Sequence, residues 1–177
     1  MRPNLFSVQH IVNFFKSKNR KVSYDTLSNY LGYIEEAFLA YKTERYNIKG
    51  KDVVAGNCKY YLNDLSFKNF LYPGFAYGVG YLLENAVYLE LRRLGYIVYT
   101  GSFRDKEVDF VAMKDDRVIY LQATYMLETA QTMEREYAPL LTIGDNYEKY
   151  VVSMDEVQFP SNEGVRHIQA WNLKEIL

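Results

Sequence analysis

Two short runs constrain this chain more than anything else in it: Lys106-Glu107-Val-Asp109-Phe-Val-Ala-Met113 and Arg117-Val-Ile-Tyr-Leu-Gln122-Ala-Thr124-Tyr125. Both are rich in β-branched and aromatic residues, and only Lys114-Asp-Asp116 separates them, which predicts two strands joined by a tight turn. Side chains alternate along a strand, so Glu107 and Asp109 are expected on one side, with Val108 and Phe110 facing the core. On the second strand Val118, Tyr120, Gln122 and Thr124 share one side, and Ile119, Leu121 and Ala123 the other. A carboxylate in an otherwise apolar strand needs partners. Pairing through the turn would let Asp109 and Gln122 meet near one edge, and Glu84 reaches the same place if its helix packs across the sheet.

The elements around this hairpin follow from periodicity. Leu5, Val8, Ile11, Val12 and Phe15 predict a helix over about 5–17. Ser23 is a plausible N-cap for a second helix with Leu27, Leu31, Ile34 and Phe38 as its stripe. Phe38 to Tyr46 reads as a strand, 47–51 as a turn and Cys58 to Leu62 as the returning strand. Asp64 can cap a short helix containing Leu65, Phe67 and Phe70. The run Tyr72-Pro-Gly-Phe-Ala-Tyr-Gly78 is the best boundary. Beyond it come a helix from Val79 to Leu94 with Gly95 past its end and a strand Tyr96–Thr100. The hairpin follows, then a helix Glu128–Leu141 weakened by Pro139, a strand Tyr147–Met154 and one more over Val165–Trp171.

The chain is thus expected as an α/β (α+β) protein in two units. Residues 1–72 have the order of a winged helix-turn-helix, two helices and then a two-stranded wing, and 73–177 form an αβββαβ domain. Charge divides in the same place: 11 Lys/Arg against 6 Asp/Glu in 1–72, and 10 against 16 in the remainder. In DNA-binding winged helices the second helix enters the major groove and the wing touches phosphate. Lys42, Arg45, Lys49, Lys51 and Lys59 suit the wing, whereas Asp25, Glu35 and Glu36 on the second helix would repel phosphate. Packing against protein, with simply solvated wing lysines, is an equal reading of the same residues.

Composition, at 49% hydrophobic and 24% charged, is that of a globular chain with a packed core. Cys58 is the single cysteine, which excludes an intrachain disulfide and fits a reducing compartment. No apolar run is long enough to span a membrane and no signal-peptide pattern is present, so a cytoplasmic protein with no membrane partner is expected.

Several motifs together carry a resemblance: Tyr30-Leu-Gly-Tyr-Ile-Glu-Glu-Ala-Phe-Leu, Tyr60-Tyr-Leu-Asn-Asp-Leu, Leu83-Glu-Asn-Ala-Val-Tyr-Leu-Glu-Leu, Glu107-Val-Asp-Phe, and Asp145-Asn-Tyr-Glu-Lys-Tyr-Val-Val-Ser-Met-Asp. In this order they resemble the C-terminal region of a family of prokaryotic AAA-type ATPases. There a winged helix is followed by the nuclease-like DUF4143 domain, of the PD-(D/E)XK (restriction endonuclease-like) fold. The resemblance implies that Glu84 matches the helix acid and Asp109 the central metal-binding aspartate, with Gln122 in the place of the second acid and Thr124 in that of the lysine. Mg²⁺ prefers anionic oxygens in near-octahedral array. A glutamine carbonyl is a weaker ligand, and threonine brings no positive charge to a phosphate or an attacking water. A catalytically degenerate site is therefore the first expectation.

Three functions stay open on these residues. The first is a non-catalytic C-terminal module contributing contacts to DNA, RNA or protein, with the ATPase core of a parent chain or a homologous subunit as partner. The second is an active Mg²⁺-dependent nuclease with Glu84 and Asp109 as metal ligands and Gln122 as a weak third. The third is a regulatory or oligomerisation module that binds only protein. Each site residue also has an ordinary reading: Glu84 as helix N-terminal charge, Glu107 as solvated surface, Gln122 as a satisfied core amide. Lys106 and Lys114 are candidate substitutes for the missing lysine, and Gln131 and Glu134 candidates for the rim of the cleft. No phosphate-binding Gly-x-x-x-x-Gly-Lys-Ser/Thr loop occurs, so no ATP site is expected in this chain, and its histidines and cysteine form no zinc pattern.

Overall fold

The computed structural model describes residues 7–71 and 78–177. The expected boundary at 72–78 falls mostly outside them, as do residues 5 and 6 of the first helix. Three helices begin where a hydroxyl accepts a bond from the first turn. Ser7 caps α1 (Val8–Ser17), Ser23 caps α2 (Tyr24–Glu36) and Thr129 caps α5 (Ala130–Leu141). Between them lie α3 (Ser66–Leu71) and α4 (Val79–Arg93). In α4, Leu83, Val87, Tyr88 and Leu91 form the buried stripe. Past its end Gly95 takes φ +88, the Gly95 amide bonds Arg92 O and the Tyr96 amide bonds Leu91 O, so the terminal carbonyls are satisfied. Among the described residues no helix is long and apolar enough to cross a membrane.

Seven strands form one mixed sheet: β1 (Ala40–Asn47), β2 (Asp52–Leu62), β3 (Ile97–Phe103), β4 (Lys106–Lys114), β5 (Arg117–Ala123), β6 (Glu148–Ser153) and β7 (Val165–Gln169), in the order β2-β1-β3-β4-β5-β6-β7. The expected β4–β5 hairpin is present, and β6 and β7 add in parallel beyond it. The last strand ends at Gln169, and Trp171 lies in a closing 3₁₀ turn, Ala170–Glu175. The hairpin expected as a wing is hydrogen-bonded into this sheet. β1 runs parallel to β3 with Arg45 opposite Thr100 and Asn47 opposite Ser102. The returning strand is also longer than its apolar run, because the register with β1 extends it to Asp52.

Helices cover both faces. On one, Leu83, Val87, Tyr88 and Leu91 of α4 pack on Phe110, Leu121 and Tyr150. On the other, Tyr137 and Leu140 of α5 pack on Val108, Val111, Tyr120 and Val151. Val108 and Phe110 thus belong to opposite layers, against the simple alternation expected for them. The register explains this: Tyr99 pairs Val111 and Gly101 pairs Val108, so β4 advances by three residues while β3 advances by two. The extra residue is a bulge that re-aims the chain at Asp109 and Phe110. Helices α1 and α2 contribute no fully buried residue, and Phe14, Tyr30, Tyr33 and Phe38 are each more than half exposed.

A buried polar seam joins the far strands. His167 Nδ1 accepts from the Phe159 amide at 3.1 Å, so its proton resides on Nε2, which lies 2.8 Å from Ser153 Oγ. The Ser153 hydroxyl donates to Asp155 Oδ2 at 2.7 Å. Although it combines serine, histidine and aspartate, this imidazole donates to the hydroxyl and has no free nitrogen with which to take its proton.

Candidate functional site

The bulged segment of β4 places Asp109 beside α4 and the inner end of β2. Its carboxylate is fully buried, with Oδ2 accepting from the Ala123 amide at 2.9 Å. Glu84, on the first turns of α4, is also buried. These two acids come together as expected, and the cation that unites them is Lys59. Its ammonium is wholly buried, 2.9 Å from Glu84 Oε1, 2.7 Å from Glu107 Oε1 and 3.8 Å from Asp109 Oδ1. Tyr61, two residues on and on the same side of β2, donates to Glu84 Oε1 at 2.7 Å.

Lys59 is therefore not one of the exposed wing lysines that its sequence position suggests. A register shift carries it inward: Thr43 pairs Lys59 and Arg45 pairs Val54, so β2 advances five residues while β1 advances two. The extra residues loop out around Gly56, whose φ of +124 suits glycine. Of the other wing candidates, Lys42, Lys49 and Lys51 are exposed and Arg45 is half-buried. Lys106 Nζ lies 3.5 Å from Ala138 O, and Lys114 donates to Leu94 O at the end of α4, so neither substitute lysine joins the cluster. Glu35 of α2, expected as an exposed acid, is half-buried and accepts from the Tyr60 hydroxyl at 2.7 Å.

Gln122 is fully buried and engaged at both ends. Its Oε1 accepts from the Asp109 amide at 3.2 Å, and its Nε2 donates to Glu136 Oε2 at 3.3 Å. It therefore faces the α5 layer as a satisfied core amide and meets Asp109 through the main chain. Glu136, which periodicity alone does not single out, is buried and also bonds Arg135. Its position just before the core residue Tyr137 is the available signal. Thr124, Glu84, Glu136 and Arg135 line a cavity of about 290 Å³ between α4 and α5. Gln131 and Glu134 are exposed, and Glu134 lines a different groove, with Tyr137 and Phe159.

Electrostatically the cluster sets one base against three acids. Burial alone would lower the Lys59 pKa, but the fields of Asp109, Glu84 and Glu107 outweigh it and raise it well above the ordinary lysine value. Burial, and then the Asp109 charge, push the Glu84 carboxyl up to about 8 despite Lys59 and Tyr61. The ammonium thus holds its charge, while burial beside Asp109 disfavours the ionised form of Glu84. The donor set does not suit Mg²⁺ in this arrangement. The carboxylate oxygens facing the centre face an ammonium, and the glutamine carbonyl is committed to a backbone amide.

Two relatives resemble the chain. An uncharacterized protein of Haemophilus influenzae is 35% identical over 149 residues, covering 84% of this chain and 36% of its own length. The uncharacterized protein MJ1544 of Methanocaldococcus jannaschii is 32% identical over 137 residues, covering 75% of this chain and 30% of its own. The chain therefore spans about a third of the length of these relatives. No protein-family model matches it, and no solved structure does.

Proposed function

We propose that this chain is a non-catalytic, nuclease-like module of an AAA-type ATPase, and that its own Lys59 fills the centre where a nuclease of this type would hold a metal. The observation that carries this reading is the ammonium within 2.9 Å of both Glu84 and Glu107 and 3.8 Å from Asp109. An internal cation neutralises the acids without supplying the open coordination positions on which metal-assisted hydrolysis depends. The altered positions agree with it, since Gln122 is spent on packing and Thr124 is neutral. The module's contribution is then contact with nucleic acid or with the remainder of a longer chain.

The second kind of contact has its own support. Exposed Phe14, Tyr30, Tyr33 and Phe38 on α1, α2 and the turn after them are more apolar surface than a solvated helix pair needs. In this reading that surface packs against a part of a longer chain equivalent to the roughly two thirds of the relatives' length that this chain does not match.

The test is incubation of the full chain with duplex DNA, single-stranded DNA and RNA in Mg²⁺ or Mn²⁺, alongside calorimetric titration of Mn²⁺. No cleavage and no saturable Mn²⁺ binding are expected. Cleavage that disappears in Asp109→Ala would overturn the reading and establish an active nuclease.

A further inference from the structure

A second site lies where the hairpin joins the sheet. Arg45 and Asn47 on β1, Lys49 in the hairpin turn, Val54 on β2, Ser102 on β3 and Arg104 in the β3–β4 turn line a cavity of about 380 Å³. Three cations from three segments therefore converge there, and among the described residues no carboxylate lines it. Among the described residues none of the three forms an ion pair with a side chain. Glu107, which faces Ser102 across β3 and β4, is held by Lys59, and Asp52 pairs with Asn47 across the hairpin without lining the cavity.

Two neighbouring polar atoms are also unsatisfied. Arg45 Nε and Thr100 Oγ1, on residues directly opposite in the β1–β3 ladder, are sealed from solvent and have no hydrogen-bond partner among the described residues. A buried guanidinium nitrogen without an acceptor is costly. The frame around the cavity is firm. The Ile48 amide bonds Ser102 O at 2.9 Å, and Asn47 Oδ1 accepts from the Gly50 amide at 3.1 Å.

We infer that this cavity is a phosphate site, and that the phosphate it takes belongs to a nucleic-acid backbone. Two guanidinium forks offer paired donors to the oxygens of a phosphodiester, and a cationic excess around one small cavity attracts a strand of successive phosphates more strongly than a lone anion. Exposed Lys51 extends the positive surface along the hairpin, as a polyanion requires. The inference stands whether or not the carboxylate cluster is catalytic, because it shares no side chain with that cluster.

The test is fluorescence anisotropy of labelled single-stranded and duplex oligonucleotides against the full chain across a salt series, for the native protein and for Lys49→Ala/Arg104→Ala. Both side chains are exposed, so the double variant is expected to melt as the native protein does. It should bind about tenfold or more weakly. Its log-affinity against log-salt slope should be shallower by about 0.7 on single strands and about 0.9 on duplexes, for the one phosphate no longer neutralised. Lys174→Ala, in the closing 3₁₀ turn, should change neither. Unchanged binding in the double variant would overturn the inference. So would equal competition by polyglutamate, or binding of inorganic phosphate with no binding of any oligonucleotide at low salt, and neither result would bear on the catalytic question.

Discussion

Lys59 shows how one side chain can carry both the stability and the chemistry of a site. Its removal leaves buried acids without their counter-charge, so Lys59→Met is expected to lose about 3–5 kcal/mol near pH 8. Part of that should return near pH 5, as the stranded carboxyls take protons, and urea unfolding at the two pH values measures it. Glu84 adds a dependence of its own. Its folded pKa is raised, so the folded state keeps a proton that the unfolded chain has released. The contribution is complete below the ordinary carboxylate value and disappears as pH climbs through about 8. Glu84→Gln should flatten unfolding free energy across that window, and a slope identical to the native protein would refute the assignment. Asp109 and Glu84 are legible in the sequence because acids stand out in apolar segments. Lys59 is not, because a lysine shortly after Gly56 and Asn57 looks solvated until register shows which way its strand has turned.

At the scale of elements, two irregularities decide what alternation cannot. The β4 bulge moves Phe110 into the α4 layer with Asp109 beside it, and the β2 expansion turns Lys59 to meet them. Strand existence and order can be read from local pattern, whereas a bulge becomes visible only against a partner strand. Gly101 marks the same place from the other side. A methyl group added there would lie 2.8 Å from Val111 Cγ2 and 2.9 Å from Val108 Cβ. Gly101→Ala is therefore expected to cost about 1–3 kcal/mol, read as a lower melting temperature. The β6–β7 seam responds to acid. Burial lowers the His167 pKa below its ordinary value near 6.5, so the unfolded chain takes up a proton first. That contribution is intact above 6.5 and declines as pH falls below it, and His167→Gln should remove this acid-side loss.

For the molecule as a whole, the least legible feature is the parallel pairing of β1 with β3. Apolar periodicity reports which face of a segment is buried, but not which distant segment lies beside it. The early hairpin therefore looks like part of a separate unit, although its strands extend the sheet and its lysine completes the carboxylate cluster. This pairing also bears on the order in which the molecule assembles. Arg45 and Thr100 can meet only after a long loop has closed, whereas β3, β4 and β5 are joined by tight turns. The central strands are expected to form first and the hairpin to dock last, its ammonium leaving water only once the acids are in place. Pulse-labelled hydrogen exchange during refolding should protect Val111 and Leu121 before Tyr46 and Ile48, and the hairpin should be the first edge to open when the protein begins to unfold.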